Sequence, residues 1–128
     1  LLAAGVNVAF GHDCVMDPWY SLGSGDMLEV AHMGLHVAQM TSQAGMRDAF
    51  DAVTTRAARA MGLADYGIAP GNTANLVLLQ ARDVPEAIRL RAARLKVWRA
   101  GRLLAESAPQ QVRLDLPGRA AAVDFLRS

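Results

Sequence analysis

Residues 6–20 read Val6-Asn7-Val8-Ala9-Phe10-Gly11-His12-Asp13-Cys14-Val15-Met16-Asp17-Pro18-Trp19-Tyr20. Val6, Val8 and Phe10 alternate with Asn7 and Ala9, and the run stops at Gly11. That pattern predicts a buried strand over 6–10. A strand that ends in His-Asp sets two proton-handling or metal-binding side chains at the carboxyl edge of a sheet. In barrels and open parallel sheets that edge carries the chemistry. Asp13 is therefore the first candidate for a functional residue. The competing role is an ordinary strand-end turn, with Asp13 capping backbone amides. Trp19 and Tyr20 follow on a loop started by Asp17-Pro18. They either wall a ligand pocket or anchor the loop on the core.

Outward from this stretch the elements alternate. Residues 1–5 are expected to be a last helical turn stopped by Gly5. An apolar helix is predicted over 26–44, capped by Asp26 or Ser24 and ended by Gly45. A second follows over 46–53. A third runs over 56–61, capped by Thr54 or Thr55 and stopped by Gly62. His32 and His36 lie four apart on one helical face. That spacing suits two ligands of a transition metal, but the Glu of a His-Glu-x-x-His pattern is absent. Hydrogen-bonded core or interface histidines are the plainer reading. Arg56 and Arg59 are expected to face solvent or pair with acids.

Residues 64–75 are rich in turn signals. Leu76–Leu79 is expected to be a short buried strand, residues 83–90 one or two helical turns, and 95–105 a β-hairpin around Arg99-Ala100-Gly101-Arg102, with the glycine at its turn. A further strand is expected over 112–116, and Val123 and Phe125 are expected to dock the tail. The organisation is thus 1–63 of βα character, a linker at 64–71, small strands over 72–116, and a tail at 117–128.

Composition excludes several classes. The 13 basic and 12 acidic residues leave a net charge of +1, which gives no electrostatic footprint for nucleic acid or an anionic membrane. No apolar stretch reaches the 18 residues of a membrane span. Cys14 is the single cysteine, so no intrachain disulfide can form, and a cytoplasmic setting is expected. The chain opens inside an apolar segment without Met, and it is expected to be a piece of something longer.

Three ordered motifs carry a resemblance: the corner GHDCVMDPWY, the helical HMGLHV, and the run from Asp65-Tyr66-Gly67 through Gly71-Asn72 to Ala74-Asn75-Leu76. Together they resemble the C-terminal part of the bacterial cytosine deaminases, in the amidohydrolase superfamily. The resemblance implies an α/β fold: the last strand and following helices of a metal-dependent hydrolase (β/α)8 barrel, plus part of a small β-domain. It makes 6–10 the eighth barrel strand. Asp13 becomes a ligand to a divalent metal, iron or zinc, and the group that takes and returns a water proton. Cys14 and Trp19 become substrate-binding residues for an aminopyrimidine, whose exocyclic amine leaves as ammonia. Homo-oligomers are expected, and no nucleic acid or membrane partner.

Two departures qualify what is carried over. Where the resembling enzymes place a second aspartate after the metal aspartate, this chain has Cys14. A charged acceptor becomes a weak donor, so a substituted cytosine or another cyclic amine is open as substrate. An amidohydrolase acting on a cyclic amide and a non-catalytic oligomerising module are the alternatives. The family's remaining metal ligands and its acid-base glutamate lie on earlier strands, and His12, His32 and His36 do not match those motifs. The missing N-terminal part of the barrel is thus an expected partner, and the isolated chain is expected to be inactive.

Overall fold

The computed structural model describes residues 1–113 and 115–118. After a single 3-10 turn at Leu2–Ala4, the elements are α1 (Met27–Val37), α2 (Gln43–Ala52), α3 (Thr55–Ala60), β1 (Leu76–Leu79), α4 (Val84–Leu90), β2 (Arg94–Arg99) and β3 (Arg102–Glu106). Helices and one antiparallel sheet share the chain. Among the described residues no helix is long and apolar enough to cross a membrane.

The strand expected over 6–10 is not formed. A strand is defined by a ladder partner, and no described strand lies beside it: the sheet is β1-β2-β3 alone. Helices hold the segment instead. Phe10 N–H donates to the Ala52 carbonyl at 3.0 Å, and Asn7 Nδ2 donates to the Arg56 carbonyl at 3.1 Å. The Phe10 ring lies against Gly34, where a Cβ would come within 2.5 Å of Cε2. Val8 and Phe10 are half-buried, whereas Val6 is exposed. The 3-10 turn ends, as expected, at Gly5 in the left-handed region (φ 73).

Asp26 caps α1, its carboxylate accepting from Leu28 N–H at 2.7 Å, and Arg94 pairs with the same carboxylate. Leu28, Ala31 and Leu35 form the buried stripe. The helix stops at Val37, seven residues before the expected end at 44. Met40 N–H reaches back to the Leu35 carbonyl at 2.9 Å and Gln39 N–H to His36 at 3.4 Å. Gln39 takes φ 53, a left-handed helix terminus built without glycine. Ser42 then caps α2, accepting from Gly45 N–H at 3.0 Å.

Gly45 is therefore in the first turn of α2 and not a helix stop. A Cβ there would lie 2.5 Å from the Met40 carbonyl oxygen. Gly45→Ala is expected to destabilise the chain by about 1–3 kcal/mol, an overpacking cost larger than the gain in helix propensity. A urea unfolding midpoint at or above that of the parent would contradict this.

Thr54 occupies the cap position of α3, but its hydroxyl donates to the Phe50 carbonyl at 2.7 Å and caps nothing. Arg56 pairs with Asp48 at 2.5 Å. Between α3 and β1, Thr73 donates to Asp65 at 2.5 Å and Asn72 to the Gly67 carbonyl at 3.1 Å. These bonds fix an otherwise irregular connection.

β1 pairs with β2 (Val77 opposite Val97) and β2 with β3 (Lys96 opposite Glu106). Ala100 and Gly101, at φ 48 and 76, make the tight turn of a two-residue hairpin. β1 is less buried than expected, with Val77 53% and Leu78 46% exposed. Among the described residues of 112–116 none is in a strand. The docking expected of Val123 and Phe125 lies outside the described residues.

At the start of α4, Asp83 accepts from Glu86 N–H as the cap, and Glu86 accepts from the N–H of Arg82 just before it, each at 2.8 Å, so two backbone donors are satisfied. The side-chain and backbone donors of Arg82 hold the Glu86 carboxyl down at about 2. Ala87 and Ile88 of α4, with Ala92, join Leu28, Ala31, Leu35 and Ala49 in one core. α4 thereby fastens the β1-β2 connection onto α1 and α2.

Candidate functional site

The His-Asp corner opens onto a cleft of about 470 Å³. Asp13, Cys14 and Trp19, all singled out from the sequence, line it together with His12. Its far wall is α1, through Glu29, Val30 and Met33. The cleft is thus formed where the 11–23 loop faces the first turns of a helix whose buried stripe is fixed elsewhere.

Asp13 sits at φ 64, in the left-handed region that Asp and Asn tolerate better than other side chains. Its carboxylate is exposed. No hydrogen bond ties it to the adjacent backbone amides as the strand-end cap would require; that task falls to Asp17. One Asp17 oxygen accepts from Trp19 N–H and Tyr20 N–H, both at 3.0 Å. The Cys14 thiol beside it, together with these backbone donors, lowers the Asp17 carboxyl from its ordinary range. Reciprocally, the Asp17 carboxylate, with burial and the charge of Asp13, raises the Cys14 thiol above its usual value. Cys14 is therefore a neutral thiol in this cleft. Thiols need the opposite shift to act as nucleophiles.

His12 is half-buried, its Nδ1 3.1 Å from the Cys14 carbonyl. A carbonyl only accepts, so Nδ1 carries the proton. Trp19 is 87% exposed and stands on the rim. It does not anchor the loop on the core. An aromatic face held there can cover a flat ligand.

Gly23 closes the loop at φ 89. A Cβ there would come within 2.6 Å of His12 Cε1 and 3.0 Å of the Cys14 carbonyl oxygen. Gly23→Ala is thus expected to displace the His12 ring and cost about 1 kcal/mol or more in backbone strain. In NMR spectra the His12 and Cys14 resonances should shift while amides of the buried α1 stripe do not. Unchanged His12 signals would refute the contact.

Glu29 and Met33 also line this cleft, and none of the sequence motifs points to them. Glu29 is half-buried and accepts from Ser24 Oγ at 2.5 Å. The helical pattern carries a signal, because Glu29 is the one carboxylate within α1.

His32 and His36 lie outside the cleft. His32 Nδ1 is 3.1 Å from the Ile88 carbonyl, and the two Nε2 atoms are 3.3 Å apart. The expected hydrogen-bonded pair is what the structure holds.

Among the described residues no three His, Cys, Asp or Glu side chains come together to hold an ion. Asp13 offers one oxygen donor of a kind that iron and zinc accept, and one donor is not a site. The described residues of the cleft do not build a catalytic metal centre by themselves, and no chemical step is derived through one.

Comparisons with known proteins agree on one relationship. Residues 1–105 match the Amidohydrolase family. A 5-methylcytosine deaminase structure from Klebsiella pneumoniae, liganded with 5-fluorocytosine, superposes with a TM-score of 0.83 at 38% identity, covering 89% of this chain and 28% of that one. The N-isopropylammelide isopropyl amidohydrolase of Pseudomonas sp. (strain ADP) is 31% identical over 81% of this chain and 26% of its own length. The pterin deaminase of Rhizobium rhizogenes is 34% identical over 90% of this chain and 26% of its own. The chain thus spans about a quarter of the length of its relatives. With a family match running from the first residue through the hairpin, and the corner and cleft inside it, this chain belongs to the amidohydrolase family.

Proposed function

We propose that this chain is the C-terminal part of a metal-dependent deaminase that hydrolyses the exocyclic amine of cytosine or a related aminopyrimidine. The observation that carries the proposal is the convergence of Asp13, Cys14 and Trp19 on one cleft. The relatives support hydrolysis at a C–N bond of a cyclic amine. In this reading residues 1–63 are the last barrel strand and outer helices, 64–71 the linker, and 72–116 part of the small β-domain, with the tail at 117–128. The 6–10 segment then gains its ladder from strands outside this chain. The exposed Val6 and Leu1 are the apolar surface those strands would cover.

A bound divalent metal supplies hydroxide at neutral pH in such reactions, and Asp13 would be one ligand of a site completed by residues outside this chain. The Asp13 carboxylate holds a proton from the attacking water and returns it to the departing amine. Water adds at the amine-bearing carbon while the adjacent ring nitrogen gains one of its protons; the C–N bond then breaks, the added oxygen becomes the carbonyl, and ammonia leaves with the other proton. Trp19 covers the ring face and excludes bulk water. Cys14, a neutral thiol, is a weak donor beside the substrate and not a charged acceptor.

A pterin or N-isopropylammelide is the second reading, favoured by the two relatives at 34% and 31% identity. One experiment separates them. The full polypeptide encoded at the source is purified with iron or zinc and assayed for ammonia on cytosine, 5-methylcytosine and a pterin, and for isopropylamine on N-isopropylammelide. Turnover of a cytosine supports the proposal. Turnover of the pterin or the ammelide alone replaces the substrate, and no amine release from any of them overturns it.

A further inference from the structure

We propose that His32 and His36 form a transition-metal site on the surface of α1, separate from the Asp13 cleft. His32 Nδ1 faces the Ile88 carbonyl at 3.1 Å. Because a carbonyl can only accept, Nδ1 carries the proton, and the neutral ring presents an Nε2 lone pair. That lone pair faces Nε2 of His36 at 3.3 Å. The rings meet edge to face, with centroids 4.8 Å apart.

The distance is the one a metal needs. Two imidazole nitrogens at about 2.0–2.1 Å from a tetrahedral zinc stand about 3.3–3.4 Å apart along the tetrahedral edge. One helical turn between the residues has thus set the two Nε2 atoms at chelating separation. A metal-binding histidine almost always donates its other N–H to a carbonyl or carboxylate, which fixes tautomer and ring orientation. The Ile88 carbonyl does this for His32 across 56 residues, from α4. His36 is exposed, so an ion has access and water can fill the remaining positions. On binding, the His36 proton passes from Nε2 to Nδ1 by exchange with water, and the metal takes the place of the shared hydrogen bond. A two-nitrogen site of this kind suits Cu²⁺ first, then Ni²⁺ and Zn²⁺.

The test is a titration of the 128-residue chain with Cu²⁺, followed by calorimetry and electron paramagnetic resonance. Expected are one equivalent bound with two nitrogen ligands, and weaker binding of Ni²⁺ and Zn²⁺. His36→Ala should weaken Cu²⁺ binding by about tenfold or more, since even second-shell losses cost about 10–100-fold. His36→Gln should match it, and both should melt as the parent does without metal. His12→Gln should bind Cu²⁺ as the parent does. Binding undiminished in both His36 variants, binding lost in His12→Gln instead, or no binding by the parent below millimolar Cu²⁺ would each overturn the site. None of these readouts depends on deaminase activity.

Discussion

Asp13→Asn is expected to lower ammonia release by the full polypeptide, acting as the proposed deaminase, by on the order of 10²–10⁴-fold, the range a positioned proton-transfer group contributes. The substitution is close to isosteric. Asn tolerates the left-handed backbone that Asp13 occupies at φ 64, and the side chain is exposed, so no buried contact is lost. What changes is charge. An amide cannot hold a proton between the attacking water and the leaving amine, and it is a poorer metal donor than a carboxylate. The measurement is kcat for ammonia release by the parent polypeptide and the variant, each with its metal content determined. Metal retained with kcat lost assigns proton transfer to Asp13. Metal lost with kcat assigns ligation. Activity within a few-fold of the parent would remove Asp13 from the chemistry and leave the corner a structural turn.

The corner was legible in the sequence because its signals are local. Gly11-His12-Asp13 marks the end of an apolar run, and Asp17-Pro18 starts a loop that holds Trp19 nearby. The hairpin turn at Ala100-Gly101 and the Asp26 cap were legible for the same reason. Other features depend on distant partners. Whether 6–10 is a strand is decided by what lies beside it, and here that is Ala52 and Arg56 on helices. The end of α1 was misread because Gln39 takes a conformation usually given to glycine, while Gly45 is kept for its close approach to the Met40 carbonyl. Glu29 reaches the cleft only because Leu28, Ala31 and Leu35 turn the opposite side of α1 inward. No spacing within 26–44 says which loop that face will meet.

Ile88→Ala is expected to have the largest effect on stability, about 2–5 kcal/mol. Among the described residues the buried apolar ones are Leu28, Leu35 and Ile88 with six alanines, at 31, 49, 52, 58, 87 and 92. Alanines let α1, α2 and α4 approach closely, but each buries little more than a methyl group. Among these buried residues only three side chains are larger than alanine, and Ile88 is the one of them with no exposure. Truncating it opens a cavity in a cluster rich in alanine, which has no length to fill it. Domains of this size hold only about 5–15 kcal/mol in total, so the loss removes a large share. Thermal melts followed by circular dichroism should show a much lower or non-cooperative transition, while Ile88→Val should cost only about 0.5–1.5 kcal/mol. The Ile88 carbonyl that orients His32 is backbone, so in Ile88→Val the histidine contact should survive. If Ile88→Ala melts like the parent, α4 is not packed on α1 and α2, and the fastening of the sheet to the helices fails with it.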